Sequence, residues 1–322
     1  MSEASDSITD VFLYPEAAEK SDYWQTLQAR FPFLVASGVS ELEHVGQYYV
    51  IKHDLGDASE GLSHYGLVRE PLTPTAASPV LVILHAGFSG ITPDLFPNFD
   101  SLLGSEWFRE NAWCIAPTFP GEPLGGTPGG PYLSSQAQGR DIEAAQRFLA
   151  ACRSYFGLGG ELRVFGRSRG ASAGYSFAIL TPEVKRVGLV SGAANWWLNV
   201  VKYACILYAE TGGQWQESPN IVSFINSTLV PYLTDPPTKT REEVRDAIFG
   251  RSPGLWAGYL PSNLTILHGS DDVIVHVDHS RWIAGLLRGY RACFDYIETP
   301  GVGHNEPENL DGWAKMREKL IG

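Results

Sequence analysis

The sequence predicts an α/β fold: a doubly wound, mostly parallel sheet with an N-terminal antiparallel hairpin and an inserted helical cap. Three observations carry this reading. From Pro79 onward, short apolar runs alternate with helix-length stretches, and such alternation builds a sheet covered by helices on both faces. The first run, Val80–His85, is continuous Val, Leu and Ile before its final histidine, as expected of a strand buried on both sides. Finally, roughly seventy residues separate the run ending at Ser191 from the run starting at Leu264, where an ordinary connection needs about 2–6.

Taken in chain order, Pro15 suits the first turn of a helix running to about Phe31. Val45–His53 and Ser63–Arg69 read as strands, and the polar DLGDASEG between them as a hairpin loop. The predicted core strands are Val80–His85, Ala112–Pro117, Leu162–Gly166, Val187–Ser191, Leu264–His268 and Phe294–Glu298. The predicted helices are Ser135–Tyr155, Arg169–Leu180, Asp278–Tyr290 and Leu310–Leu320. Residues 1–40 are expected as a helical extension, 41–193 with 261–322 as the core, and 194–260 as the cap.

Composition narrows the classes of function. With 44% apolar residues among 322, a core can form without disulfides or metals. Lys and Arg total 24 against 36 Asp and Glu, a net charge of −12. An acidic surface repels phosphate backbones and anionic lipid headgroups, so neither nucleic acid nor membrane is an expected partner. Cys114, Cys152, Cys205 and Cys293 show no metal-like spacing. The start, MSEASDSITD, has no apolar secretory core, and a cytoplasmic, reducing location is expected. The stretch Trp196–Ala209 is too short to span a bilayer.

Gly166-Arg167-Ser168-Arg169-Gly170 is a G-x-S-x-G motif. A serine that attacks a carbonyl must stand exposed on a sharp strand-to-helix turn, and that turn demands small residues two positions to either side. LRVF before it suits a strand and ASAGYSFAIL after it suits a helix. Serine also needs a base, and the base an orienting carboxylate. In folds that use this elbow, the chain order is serine, acid, histidine. LTILHGSDDVIV places Asp271 and Asp272 just past a strand, and ETPGVGH places His304 in a loop after another. Spacing alone leaves both aspartates open. His276 and His279 compete with His304 but follow the acid too closely to reach across to Ser168, and no third ligand completes a metal site with them. The anion formed in acyl transfer needs backbone donors. Arg169 is expected to supply one, and Ala86 or Gly87, in the loop after Val80–His85, the other.

With these residues placed, the chain resembles the catalytic domain of the prolyl oligopeptidase family and related dienelactone-hydrolase-like enzymes over most of residues 78–322. IAPTFPGEPLGGTPGG is similar to the family's Pro-x-x-Arg-Gly segment, with Pro120 where arginine is usual. Gln138-Gly139-Arg140-Asp141 resembles its G-x-x-D helix start, and Arg251-Ser252-Pro253 its R-S-P element. HGSDDVIV resembles its H-G-x-x-D-x-x-V pattern, which implies Asp272 as the acid and Val275 as an apolar pocket residue. The resemblance implies the α/β-hydrolase fold, the triad Ser168, Asp272 and His304, and no cofactor. His85 stands where the oligopeptidases carry an oxyanion-hole tyrosine. Only about eighty residues precede the first buried strand, too few for a β-propeller.

The expected activity is therefore serine hydrolysis, through an acyl-enzyme, of a small ester, lactone or thioester. Cleavage of short peptides or aminoacyl amides is the alternative on the same machinery. Acyl transfer to another acceptor and a non-catalytic binding role complete the set. Candidate substrate contacts are His85, Phe88, Arg167, Trp196, Trp197 and Val275. Competing readings set His85 against a backbone partner and Arg167 and Arg169 against internal carboxylates. They also pack the face formed by Trp196, Trp197, Val200, Val201, Ala204, Leu207 and Tyr208 on the core. The helix around Tyr23, Trp24 and Leu27 offers a face for a homodimer.

Overall fold

The computed structural model describes residues 11–30, 39–45, 47–53, 64–87, 90–120, 122, 124, 140–198, 201, 205–206, 208, 211, 222, 224–234, 236–290, 292–304 and 310–322. Nine strands form one sheet: β1 Val39–Val45, β2 Tyr48–His53, β3 His64–Arg69, β4 Val80–Leu84, β5 Trp113–Pro117, β6 Leu162–Arg167, β7 Val184–Val190, β8 Asn263–Gly269 and β9 Phe294–Thr299. Their order is β1-β2-β3-β5-β4-β6-β7-β8-β9. The pairs among β1, β2, β3 and β5 are antiparallel, and every pair from β5 through β4 to β9 is parallel. The chain lays β5 on one side of β4 and then β6 on the other. Ligands in such sheets bind outside the carboxyl ends of the strands near that switch.

The first strand differs from expectation. The run Val45–His53 was expected to be one strand, but β1 and β2 are separate strands paired as a hairpin. VSELEHV carries two glutamates and a histidine, so it lacks an apolar signature. It needs none, because β1 is the outermost strand and charge on an edge discourages pairing with other chains. The expected loop at 54–61 and the helix start at 135–139 lie outside the described residues.

Seven helices matter for the site: α1 Ala17–Arg30, α2 Leu95–Leu103, α3 Arg140–Phe156, α4 Arg169–Leu180, α5 Arg241–Phe249, α6 Asp278–Gly289 and α7 Leu310–Ile321. The strand β4 shows how they sandwich the sheet. Val80, Val82 and Leu84 pack in one cluster with Phe148 of α3, Phe177 of α4 and Ile283 of α6. Leu81 and Ile83 point the other way, into a cluster with Phe96 and Phe99 of α2 and Met316 of α7. Alternate side chains of one strand thus feed two cores, each burial being worth about 1.5–3 kcal/mol.

A third cluster lies between β7 and β8 in sequence. There α5, the 3-10 turn Pro253–Tyr259 and a π-helical turn Ile225–Leu229 bury Trp196, Trp197, Phe224, Phe249 and Trp256. The N-terminal helix covers it: Tyr23 stacks on Phe249 at 4.6 Å, and Trp24 on Trp256 at 5.4 Å and Tyr259 at 4.9 Å. Arg245 of α5 donates to Glu19 Oε2 at 2.6 Å and to the Leu13 carbonyl at 2.9 Å. Tyr23 and Trp24, on the α1 face read for a second subunit, are thus half-buried against their own chain. Among the described residues, no helix is long and apolar enough to cross a membrane.

Two glycines should respond oppositely to alanine. A Cβ on Gly170 would meet the Leu84 carbonyl oxygen at 1.9 Å, and Gly285, exposed in α6, meets nothing within 4 Å. Gly170→Ala should destabilise by about 3 kcal/mol through overpacking. Gly285→Ala should stabilise by about 0.8 kcal/mol through helix propensity. Urea midpoints of the two variants check both signs, and a neutral Gly170→Ala would contradict the packing described.

Candidate active site

Ser168 is the single residue between the end of β6 and the start of α4. Its backbone takes φ 55° and ψ −121°, a left-handed region that a non-glycine residue enters at a cost of about 1–2 kcal/mol. The neighbours hold it there. The Ser168 amide donates to the Val190 carbonyl at 2.8 Å, and the Ser168 carbonyl accepts from the amides of Ala171 and Ser172 at 2.9 and 3.1 Å. A Cβ on Gly166 would meet the Gly170 carbonyl at 2.3 Å, so the strand and helix approach too closely for larger residues.

Two loops at the same sheet edge bring up the partners. A Cβ on Gly269 would sit 2.2 Å from the Val302 carbonyl, so the ends of β8 and β9 pack backbone on backbone. Asp271 N donates to Val302 O and Ser270 N to Thr299 O, both at 2.9 Å. His304 results facing both neighbours: Nδ1 lies 2.7 Å from Asp272 Oδ2, and Nε2 lies 2.8 Å from Ser168 Oγ. A carboxylate only accepts, so Nδ1 carries the proton and Nε2 is free to take the serine's.

Geometry separates the two aspartates. Asp272 is buried, and its Oδ1 accepts from the amides of Ile274 and Val275 at 2.9 and 2.8 Å. Asp271 is exposed and accepts from Ser270 Oγ at 2.6 Å. Burial alone would raise the Asp272 carboxyl. Hydrogen bonds from His268, His304 and the Val275 amide outweigh it and hold the group well below the usual carboxylate range.

The contact with His268 was not legible in the sequence. Its Nε2 lies 3.1 Å from Asp272 Oδ2 and 2.8 Å from the Val275 carbonyl, while Nδ1 meets Ser280 Oγ at 2.7 Å. His276 is exposed, against Asp278. His279 is buried, with Nδ1 accepting from the Asn195 amide at 3.3 Å, and burial pushes its imidazole down to about 3. Neither reaches Ser168.

The expected substrate contacts divide. His85 is turned inward: it is buried, with Nε2 2.9 Å from Glu122 Oε2 and Nδ1 3.0 Å from the Ala86 carbonyl. The Arg169 side chain is likewise buried on Glu122 and on Asp141 at 3.3 Å, so it pairs with internal carboxylates. Trp196 and Trp197 are buried edge-on against Phe224 and Phe249, so they pack the third cluster and do not line an open surface. Val201 and Tyr208 pack there too. Val275 is half-buried and holds Asp272 through its backbone, and Arg167 is half-buried at the end of β6. Gly87 turns the loop after β4 at φ 76°, and Ala86 is exposed beside it. Phe88, Val200, Ala204 and Leu207 lie outside the described residues. Sequence reasoning missed Glu122, which directly follows the Pro117–Gly121 segment but has no role assigned by it; one available signal was the arginine next to the serine, flanked by small and apolar residues and in need of a carboxylate.

In this arrangement Asp272 can orient His304 to take a proton from Ser168. Asp272→Asn should slow acylation of Ser168 by an activated aryl ester by about 10⁴-fold, because the amide favours the wrong imidazole tautomer. Asp271→Asn should leave the rate nearly unchanged. Stopped-flow release of the aryl leaving group measures both, and equal losses would contradict the assignment.

Comparison with known proteins adds the fold. No family model and no curated protein matches the sequence. Among solved structures, acetyl xylan esterase 1 from Thermoanaerobacterium sp. superposes with a TM-score of 0.59 at 16% identity, covering 93% of each chain. A protein described as a dipeptidyl aminopeptidase IV from Bacteroides ovatus superposes at 0.59 with 12% identity, over 85% of this chain. A puromycin-hydrolysing peptidase from Mycobacterium tuberculosis does so at 0.57 with 16% identity, over 87% of this chain. The chain spans 35% and 45% of those two peptidase chains. Sheet order, elbow and structural neighbours agree, and the chain has the α/β-hydrolase fold.

Proposed function

We propose that the protein is a serine hydrolase acting through an acyl-enzyme on a small ester, lactone or thioester. The observation that carries this reading is the unbroken line from Ser168 Oγ to His304 at 2.8 Å and from His304 to buried Asp272 at 2.7 Å. Ser168 Oγ attacks the carbonyl carbon while its proton passes to His304 Nε2. The tetrahedral oxyanion collapses, the carbon–oxygen bond to the alcohol breaks, and the leaving alkoxide takes that proton. Water then attacks the acyl-serine, again losing a proton to His304, and collapse returns it to Ser168 as the acid departs. Asp272 stays ionised throughout and stabilises the imidazolium. Backbone amides of Arg169 and the 86–87 turn receive the oxyanion.

Two observations favour an ester over a peptide. One match that covers 93% of both chains is with an esterase, whereas two peptidase chains are less than half covered. Beside the acid, Val273 is 89% and Ile274 51% exposed, an apolar rim suited to an acyl or aryl group. An alkoxide also leaves more readily than an amine.

The test is one panel on the purified protein, with Ser168→Ala as background: p-nitrophenyl esters of rising acyl length, aryl lactones, and aminoacyl and prolyl anilides. Ester turnover should be measurable, should fall once the acyl chain outgrows the site, and should exceed anilide cleavage. Anilides with a free N-terminus cleaved at higher kcat/KM than matched esters would replace this reading with the peptidase one.

A further inference from the structure

The two segments assigned to the oxyanion leave the sheet from different strands. Arg169 opens α4 after β6, and Ala86 and Gly87 follow β4. Between them lies a carboxylate from a third element. Glu122 follows β5 and is fully buried. Its Oε2 accepts from the Phe119 amide at 3.1 Å and lies 2.9 Å from His85 Nε2. Its Oε1 accepts from Arg169 Nη1. The same guanidinium donates to the Gly87 carbonyl at 3.4 Å and to Asp141 Oδ2 at 3.3 Å, and its carbon lies over the Phe119 ring, 4.1 Å from the centroid.

This network controls the direction of particular peptide groups. Ala86 C=O and Gly87 N–H belong to one planar trans peptide and point oppositely. His85 Nδ1, 3.0 Å from the Ala86 carbonyl, therefore fixes where the Gly87 N–H points. Both ring nitrogens of His85 thus lie within 3.0 Å of an oxygen, Ala86 O and Glu122 Oε2. Two carboxylates, Glu122 and Asp141, face the guanidinium of Arg169. Burial alone would raise the Glu122 carboxyl; contacts with His85, Arg169 and the Phe119 amide hold it below the usual carboxylate range.

We infer that Glu122 is a positioning residue for the oxyanion site, tying the Gly87 and Arg169 amides into one rigid pair through His85 and the Arg169 side chain. This rests on the acyl-transfer reading above. A buried ion cluster is a poor source of stability, since apolar replacements commonly serve as well or better. Its value here is direction, because preorganised donors act on charge that develops only in the transition state.

Glu122→Gln and Glu122→Asp test it on the full chain with p-nitrophenyl acetate. An alkyl trifluoromethyl ketone, which forms a tetrahedral adduct on serine, serves as second probe. The aspartate variant keeps the charge and the fold but is one methylene too short to hold both partners. In each variant kcat should fall by about 10²-fold, the scale of one lost oxyanion donor. KM should change less than about threefold, and the ketone should weaken in step with kcat. A folded variant with wild-type kcat, or a loss carried by KM with ketone affinity unchanged, would overturn the role of Glu122 alone. A wild-type protein that turns over no ester and forms no ketone adduct would instead remove the acyl-transfer reading, and this inference with it.

Discussion

At Ser168 the backbone is held at positive φ, and the surrounding elements are arranged to keep it there. The turn exposes Oγ beyond the end of β6 and aims the first amides of α4 at the same space. Holding it requires strand, helix and neighbouring strand to meet at backbone distance. That is why Gly166 faces the Gly170 carbonyl and Gly170 faces the Leu84 carbonyl. One constraint thus sets a composition, the placing of Ser168 at the end of β6 and a path by which β4 feels any shift of α4.

Two buried anionic centres flank this turn and obey the same rule, that a carboxylate out of water must be fully partnered. On one side Asp272 is held by two backbone amides, His304 and His268. Its low proton affinity keeps it an orienter and not a proton carrier. On the other side Glu122 and Asp141 face Arg169, and Glu122 also meets His85. On the proposed reading, the first centre aims the base, and the second aims the donors. The serine sits between two fixed charge distributions, each anchored on a different pair of strands.

The sheet was legible where burial on both faces forces continuous apolar runs, as in β4, β5 and β6. The strand β1 was not, because an edge strand with glutamates carries no such mark. Ser168, Asp272 and His304 stood out because each lies in a short motif at a strand end, and the fold brings those ends to one edge. What escaped was set by tertiary direction. Nothing local says that His85 turns inward to Glu122, that Arg169 pairs with buried carboxylates, or that Trp196 and Trp197 pack edge-on against Phe224 and Phe249. Glu122 was invisible for the same reason: its side-chain partners, His85 after β4 and Arg169 at the start of α4, are distant in sequence.

The central claim is that Ser168 is the nucleophile, and covalent capture addresses it most directly. Native protein treated with a fluorophosphonate, then digested and analysed by mass spectrometry, should carry a single adduct on the peptide containing Ser168, with none formed on Ser168→Ala. An unlabelled native protein, or an adduct on another serine that persists in Ser168→Ala, would contradict the account.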